Sequence, residues 1–202
     1  MGVAFKKSFS FNENQASDFL FSQSYWGHKK RYLNHSLNKH VLGLKNDFIV
    51  FNNQHSLEYS SRCGLFCFNT VYNGGNVFFV SSEDVYKKLT LFFSSRSFQY
   101  CYADKWFGGL ITNNLLGGKT PDIFVVSNLK HDTFILKEAL NKLIPVVCIE
   151  DSDHFLHKSF YSSFANDDKK DSIHFFFCII TDSIIKSLLF KYSKTLILKR
   201  RK

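Results

Sequence analysis

Acidic side chains cluster where an apolar run of the chain ends. The segment IPVVCIEDSDH begins at Ile144, so Glu150, Asp151 and Asp153 directly follow a strand-like stretch. Carboxylates in this position can bind a metal ion or act as a general base, although adjacent acids at a strand end are more often turn and cap residues. Neither GxGxxG nor GxxxxGK[ST] is present to hold a phosphate, and no serine stands in GxSxG. The sequence therefore predicts a protein that is not an enzyme and uses no cofactor.

Five cysteines are the other candidates for chemistry. They stand at positions 63, 67, 101, 148 and 178, without a CxxC pair. Cys63 and Cys67 could contribute to a zinc site with a distant histidine, but no second ligand pair follows at a usual spacing. An odd number of widely spaced cysteines, mostly within apolar runs, indicates buried free thiols in a reducing compartment. We therefore expect no metal site.

The segment KWFGGLITNN, which begins at Lys105, combines a large ring with bare backbone. Its tryptophan could stack on a nucleobase or serve as a packing wedge, and both interpretations stay open. The glycine pair permits positive φ or the close approach of another backbone. Thr112 and Asn113 offer hydrogen-bond donors or a helix cap. No nucleophile or general base accompanies the segment, which favours docking over catalysis.

Basic residues are concentrated in two stretches of this chain of net charge +9. No acid stands between Asp18 and Asp47, and none follows Asp182, while both stretches are rich in lysine and arginine. Such clustering indicates a polyanionic partner bound through phosphate contacts. A solvated basic face that keeps the protein soluble is the alternative on charge alone.

The elements that must position these residues follow from hydrophobic patterning. Strands are predicted at residues 47–51, 76–80, 98–103, 122–127 and 144–151, with helices between them. Strands separated by helices pair in parallel through right-handed crossovers. We therefore expect an α/β fold, a three-layer sandwich of the Rossmann or flavodoxin-like type around a parallel sheet of about five strands. Helical spacing predicts two buried stripes, Leu57, Ser61, Leu65, Phe68 and Tyr72 in the first helix and Val85, Leu89 and Phe92 in the second.

One domain is expected in 202 residues. It should span residues 23–192, after an N-terminal extension at 1–22 and before a basic C-terminal tail at 193–202. No apolar run reaches the length of a membrane span.

Taken in order, several motifs resemble those of the small-subunit ribosomal protein family numbered two, in its bacterial and organellar branch. WGHKKRYLNHSLNKHVLGLKNDFIVF from Trp26 is similar to its Gly-His signature, and KWFGGLITNN to its Arg-Trp-x-Gly-Gly-x-x-Thr-Asn signature. PDIFVVSNLKHDTFILKEALNKLIPVVCIED is similar to its Pro-Asp segment, and Asn166 begins a likeness to its Gly-Asn-Asp-Asp helix start. The resemblance covers about residues 23–189.

Two departures from the family pattern stand out. Only LLGGKT separates Asn114 from Pro121, where bacterial members insert a long helical hairpin, so we expect that projecting coiled-coil lobe to be absent. The usual Gly-Thr-Lys-Lys after the second predicted strand is replaced by SSEDV, which puts acids at a corner where the family carries basic residues.

The resemblance implies a structural constituent of the small ribosomal subunit, placed between head and body. Its implied partners are small-subunit rRNA and neighbouring ribosomal proteins, with no membrane and no small-molecule substrate. The candidate RNA contacts are His28, Lys29, Lys30, Arg31, Asn34, His35, Lys39, Lys105, Trp106, Gly108, Gly109, Thr112, Asn113, Arg200 and Arg201. The alternative is a nucleotide- or sugar-phosphate-binding α/β enzyme built around Glu150, Asp151 and Asp153.

Composition adds a prediction of location. The 24 phenylalanines, with many Asn, Lys, Ser and Ile, use A/T-rich codons of the kind found in organelle genomes. Together with the resemblance, this predicts a mitochondrial ribosome, with a plastid ribosome as the weaker alternative.

Overall fold

The computed structural model of the chain describes residues 13–113, 116, 119–128, 133–153 and 159–200. The helices are α1 (Glu13–Phe21), α2 (Asn53–Tyr72), α3 (Asp84–Arg96), α4 (Thr133–Asn141) and α5 (Lys170–Arg200). The strands are β1 (Trp26–Lys29), β2 (Val41–Lys45), β3 (Phe48–Phe51), β4 (Val77–Val80), β5 (Tyr100–Tyr102), β6 (Ile123–Val126), β7 (Val146–Glu150) and β8 (Tyr161–Phe164).

A five-stranded parallel sheet forms the centre of the protein. Its strand order is β5-β4-β6-β7-β8, and all four pairings are parallel. Every residue of β4, β6 and β7 is buried, because layers cover both faces of the sheet. The predicted α/β sandwich with a parallel sheet of five strands is confirmed.

One of the five strands predicted for the central sheet belongs to a different sheet. The run at residues 47–51 forms β3, which pairs antiparallel with β1 and β2 in a separate three-stranded sheet. Asn46 and Asp47 both have positive φ, so they form the tight two-residue hairpin turn that joins antiparallel strands. Buried Ile49 and Phe51 alternate with more exposed neighbours, as expected of a sheet covered on one face.

The fifth strand of the central sheet is β8, which the apolar pattern did not predict. Its sequence is YSSF, and the hydroxyl groups of its two buried serines form hydrogen bonds. Ser163 shares a 2.6 Å hydrogen bond with Ser60 of α2, and Ser162 shares one of the same length with Ser159. A strand of this kind carries little hydrophobic signal.

Helices cover the two faces of the central sheet unequally. The cluster that contains Val77, Phe79 and Val125 packs against α1, α2, α3 and α5. On the other face, Phe78 and Phe124 pack against α4 and against Trp106, which lies in the loop after β5. A loop therefore supplies part of one layer of the sandwich.

The buried faces of α2 and α3 differ from the predicted stripes. In α3, Val85 and Phe92 are exposed, while Tyr86 and Phe93 are buried. In α2 the buried face is made largely of small residues, namely Ser56, Ser60, Cys63, Gly64 and Cys67. A Cβ on Gly64 would lie 2.6 Å from the Ser183 Oγ, so the missing side chain lets α5 approach closely. A pattern of apolar residues does not identify a helix face whose side chains are small so that another helix can approach closely.

The cysteines are free in this fold. Cys63, Cys67 and Cys148 are buried, and Cys101 and Cys178 are half-buried. Burial raises the pKa of Cys67 to about 12 and raises the pKa of Cys63 and Cys148 well above the ordinary value for a thiol. These thiols are protonated at neutral pH and behave as small apolar groups.

Helix α5 is the longest element and forms part of the core. By length and composition, its Lys170–Leu196 segment would be able to cross a membrane, but 56% of its most apolar window is buried inside the protein. Phe176, Phe177 and Ile180 lie in the main core, as expected of a buried helix. The helix continues through Arg200, so residues 193–200 of the predicted basic tail extend it.

Helix α1 lies within the predicted N-terminal extension. Phe19 is buried, and its ring meets that of Phe175 of α5 at a centroid distance of 5.6 Å. Residues 13–21 of the extension are therefore helical and packed against the domain.

The small sheet joins the central one through a stacked pair of rings. His40 lies 3.7 Å from Phe164 of β8, centroid to centroid, with the rings nearly parallel. Burial, assisted by Lys39 and His55, lowers the pKa of His40 from the usual 6.5 to about 4. The packed imidazole is therefore neutral under ordinary conditions.

This lowered pKa predicts acid sensitivity. Between pH 6.5 and 4 the unfolded chain binds a proton at His40 that the folded protein does not, so the free energy of unfolding should fall as pH is lowered, by up to about 3 kcal/mol. Urea denaturation at several pH values measures this fall in the free energy of unfolding. His40→Phe, which keeps a stacked ring, should flatten this dependence, and exposed His35→Gln should not; equal slopes for His40→Phe and the wild type would contradict the assignment.

Candidate nucleic-acid interface

The first strand lies against the carboxyl end of β7 because Gly27 has no side chain. A Cβ there would lie 2.8 Å from the Ser152 Oγ. The His28 N–H donates to that Oγ at 2.8 Å, and the Asn34 N–H donates to the Ser152 carbonyl at 2.9 Å. The beginning and the end of the segment 27–34 are therefore anchored to one turn.

The start of α5 holds the same strand from its other end. The Asn166 Nδ2 donates to the Trp26 carbonyl at 2.8 Å. The Oδ1 of the same side chain accepts from the backbone N–H groups of Asp168 and Lys169, which fixes the turn immediately before α5. The motifs that begin at Trp26 and at Asn166 therefore form one junction.

His28 occupies the centre of this junction, among carboxylates. Its Nδ1 lies 3.2 Å from the Asp151 Oδ2, and its Nε2 lies 3.1 Å from the Asp168 Oδ2. Asp153 is further away, 3.9 Å from Nδ1. Burial raises the pKa of Asp151, whereas the hydrogen bond from His28 works in the opposite direction. The imidazole, predicted as an RNA contact, is thus engaged within the protein.

His28, Asp151 and Asp167 also form a group that could hold a metal ion. Their ligand atoms lie within 4.8 Å of one another, and both carboxylates are fully buried. Imidazole and carboxylate are ligands for several divalent metals. The sequence predicts no metal site, because the three residues come from segments too far apart for their spacing to reveal the group.

The end of β7 and the turn after it also contain the acids of the alternative hypothesis, an α/β enzyme. Glu150 and Asp151 are fully buried. Glu150 accepts a hydrogen bond from the Ser159 hydroxyl, and Asp151 accepts one from the Ser152 N–H. These two members of the proposed catalytic centre therefore serve the internal structure and are closed to a substrate.

The basic residues that follow His28 face solvent. Lys29, Lys30, Arg31, His35 and Lys39 are all exposed. Asn34 is different, because its Oδ1 accepts from the N–H and the hydroxyl of Ser36 and so caps the 3-10 turn His35–His40. Lys29, Lys30 and Arg31 are therefore displayed on a backbone that is fixed at both ends.

The KWFGGLITNN motif is held by an acid that the sequence analysis missed. Glu138 of α4 accepts from the Trp106 Nε1 at 3.2 Å, from the Gly109 N–H and from the Ile111 N–H at 3.4 Å. Gly109 has a φ of 99°, a conformation that favours glycine. In the sequence, the one indication of this role is that Glu138 is an acid next to the apolar residues of the α4 face, beside Ala139.

Trp106 is part of the core. It is 5% exposed, and its indole meets the rings of Tyr102 and Phe124 edge-on at 5.2 and 5.8 Å. Of the two interpretations of this side chain, the structure favours the packing wedge. Lys105 and Gly108 are exposed beside it.

The predicted contacts fall into separate groups. Those after β5 belong to a loop that packs on one face of the central sheet against α4, whereas the segment after His28 contacts the turn that follows β7. Thr112 and Asn113 are exposed. Arg200 is the last residue of α5, and Arg201 lies outside the described residues.

Comparisons with a family model and with individual proteins point to the same family. The chain matches the family described as "Ribosomal protein S2" over residues 19–115 and 117–187. It is similar to "Small ribosomal subunit protein uS2" of Psychrobacter sp. (strain PRwf-1), 21% identical over 225 residues that cover 88% of this chain and 85% of the relative. The protein of that name from Shewanella pealeana is 22% identical over 206 residues, covering 79% and 85%, and that from Renibacterium salmoninarum is 27% identical over 136 residues, covering 61% and 46%.

The bonds to Glu138 predict a specific loss of stability. Glu138→Ala leaves the Trp106 Nε1 and two backbone N–H groups without their acceptor, so the free energy of unfolding should fall by about 2–3 kcal/mol. Urea denaturation followed by tryptophan fluorescence measures this. Lys137→Ala, the exposed neighbour on the same helix, is the control, and equal stability of the two variants would disprove the role of Glu138.

The junction at His28 predicts a second, pH-dependent loss. His28→Ala leaves the buried Asp151 carboxylate without its imidazole, which should cost about 3 kcal/mol near neutral pH. Without that partner, the raised pKa of Asp151 should rise further, so the folded protein gains a proton more readily than the unfolded chain and the deficit should shrink as pH falls. His35→Ala is the exposed control. A deficit that is the same at pH 7 and pH 5 would contradict this electrostatic explanation.

Proposed function

The chain belongs to the ribosomal protein S2 family, and on that premise we propose that its exposed basic segment, residues 29–39, binds the RNA of the small ribosomal subunit. The protein is a structural, non-catalytic component of that subunit. In this proposal the chain contributes a rigid α/β body and a fixed set of cations, while neighbouring ribosomal proteins contact other parts of its surface.

One observation carries the proposal, namely that the cations of this segment are displayed on anchored backbone. Lys30, Arg31 and Lys39 are exposed, and no acid stands between Asp18 and Asp47. The anchors at Ser152 and Asn166 fix the segment before any partner arrives, which lowers the ordering cost of binding. Lysine and arginine neutralise backbone phosphates, and such contacts position a protein on RNA irrespective of base sequence.

The exposed part of the KWFGGLITNN motif is a second area of contact in this proposal. Lys105 would neutralise a phosphate, and Thr112 and Asn113 would donate hydrogen bonds to phosphate or ribose oxygens. Glu138 fixes the turn that carries them. This area and the basic segment belong to different loops, one after β5 and one after β1, and each would meet its own stretch of RNA.

The shortened loop supports the assignment to a reduced member of the family. The two matched segments meet at residue 116, between Asn114 and Pro121, where six residues stand in place of the expected helical hairpin. A helical hairpin needs far more chain than this. We propose that RNA or protein neighbours occupy the space of that lobe.

We propose that the ribosome concerned is mitochondrial. Support comes from the phenylalanine-rich composition, which fits an A/T-rich organelle genome, and from the free cysteines of a reducing compartment. Co-sedimentation of the chain with small subunits from purified mitochondria tests this, and recovery with plastid or cytosolic subunits instead would contradict it.

The RNA-binding proposal predicts a change in the salt dependence of binding. The triple variant Lys30→Gln, Arg31→Gln, Lys39→Gln should bind small-subunit rRNA more weakly, and its plot of log affinity against log salt should be flatter by about 2–3. Filter binding at several salt concentrations measures both quantities.

The matched control for charge is Lys88→Gln, Lys137→Gln, Lys142→Gln, which removes the same number of exposed cations from α3 and the α4 region. It should retain nearly all of the affinity and the wild-type slope. Equal weakening by the two triple variants would show that binding depends on net charge alone and would contradict the assigned segment.

A further inference from the structure

The outward face of the small antiparallel sheet carries an unusual set of side chains. Residues paired across an antiparallel sheet point to the same face. The register aligns Gly43, Val50 and Trp26 in one row and Lys45, Phe48 and Lys29 in the next. The face therefore combines two aromatic rings, two lysines and one position without a side chain.

The two rings lie next to each other, and each has a cation beside it. Trp26 and Phe48 meet edge-on at 6.4 Å. The Lys45 Nζ lies 5.7 Å from the Trp26 ring centroid, and the Lys29 Nζ lies 5.9 Å from that of Phe48. Phe48 is 39% exposed, which is a large fraction for a phenylalanine in a strand.

A third pair of the same kind lies directly after β1. The Arg31 guanidinium carbon is 4.6 Å from the Tyr32 ring centroid, and Tyr32 is 49% exposed. Three ring and cation pairs therefore follow one another within a short stretch of surface.

Gly43 leaves space in this face. No atom lies within 4 Å of the point where its Cβ would stand. Gly43 lies beyond Val50 in the row that contains Trp26, so the face is low and open on the β2 side of that row. A flat ring can be accommodated there.

Charge decides which partner fits this surface. Residues 26–51, which form this sheet and its hairpin turn, contain several cations and one acid, Asp47. An apolar protein surface would have to desolvate the two lysines without compensation, whereas RNA supplies phosphates for them. Duplex RNA hides the faces of its bases, whereas unpaired bases expose faces that stack on aromatic rings.

We propose that this face, with Trp26, Phe48 and Tyr32 as its rings, is a stacking platform for unpaired bases of single-stranded RNA. The inference rests on the proposed RNA-binding function and adds the structural class of RNA that is recognised. The rings stack on bases while Lys29, Lys45 and Arg31 meet the phosphates between them.

Tryptophan fluorescence offers a direct test in the full-length chain, which contains two tryptophans. A 12-nucleotide oligouridine should quench the emission of Trp26, whereas the buried Trp106 should not respond. Trp26→Phe, which keeps a ring on the platform, should remove the quenching. Quenching that persists in Trp26→Phe would overturn the proposal.

Binding measurements with ring variants complete the test. Phe48→Leu and Tyr32→Leu each keep an apolar side chain but remove a stacking surface, so each should weaken single-stranded binding about fivefold or more without changing its salt dependence. Binding to a duplex of equal length should change little. Phe134→Leu is the matched control, since Phe134 is also exposed and has the Lys137 Nζ 5.7 Å from its centroid, but it lies on α4.

The outcomes separate the platform from the more general proposal. If Phe48→Leu and Tyr32→Leu bind single strands as the wild type does, while the Lys30, Arg31, Lys39 triple variant loses affinity, the platform is overturned and RNA binding by the basic segment stands. If the wild-type chain binds neither single-stranded nor duplex RNA, both proposals fail. If polyglutamate competes as well as oligouridine and needs Phe48 equally, an acidic protein is the partner and the platform is again overturned.

Discussion

Burial of the Asp151 carboxylate at the carboxyl end of β7 determines where the first strand lies. Asp151 is fully buried, and a buried charge must be paired if the fold is to be stable. His28 meets this demand from a strand that is distant in the sequence, and it reaches the carboxylate because Gly27 allows a close approach. One electrostatic requirement thereby fixes the position of β1 on the α/β body.

The position of β1 has consequences for the surface. Because its two ends are anchored at Ser152 and Asn166, the small sheet and the basic residues after it are held in place without a partner. Asp151 and Asp167 are buried, whereas Lys29, Lys30 and Arg31 face solvent, so the junction separates buried acids from exposed cations. This arrangement explains how a chain with an acidic cluster at a strand end, the usual place for an α/β active site, can serve as a structural ribosomal protein.

The sequence predicts the sandwich well wherever the chain carries a strong apolar pattern. The runs at β4, β6 and β7 are buried on both faces and were readily recognised. The run at β3 was recognised as a strand but assigned to the wrong sheet, because the two-residue turn at Asn46 and Asp47 was overlooked. Strand β8 escaped prediction, since buried serines satisfied by hydrogen bonds resemble a loop in sequence.

The site was less accessible to prediction than the fold. The exposed cations could be identified from charge clustering alone, but pairing between His28 and Asp151 joins positions that no local pattern connects. The role of Glu138 was hidden for the same reason, because a single acid on a helix gives no indication of the three N–H groups it will meet.

Lysine acetylation of the free chain and of the intact subunit would show whether the segment after His28 faces RNA in the assembled small subunit. Lys29, Lys30 and Lys39 should react in the free protein and be protected in the subunit. Ribonuclease treatment of the subunit should restore their reactivity. Equal reactivity of the three lysines in the free and the assembled states, or absence of the chain from small subunits, would show that this segment does not face RNA there.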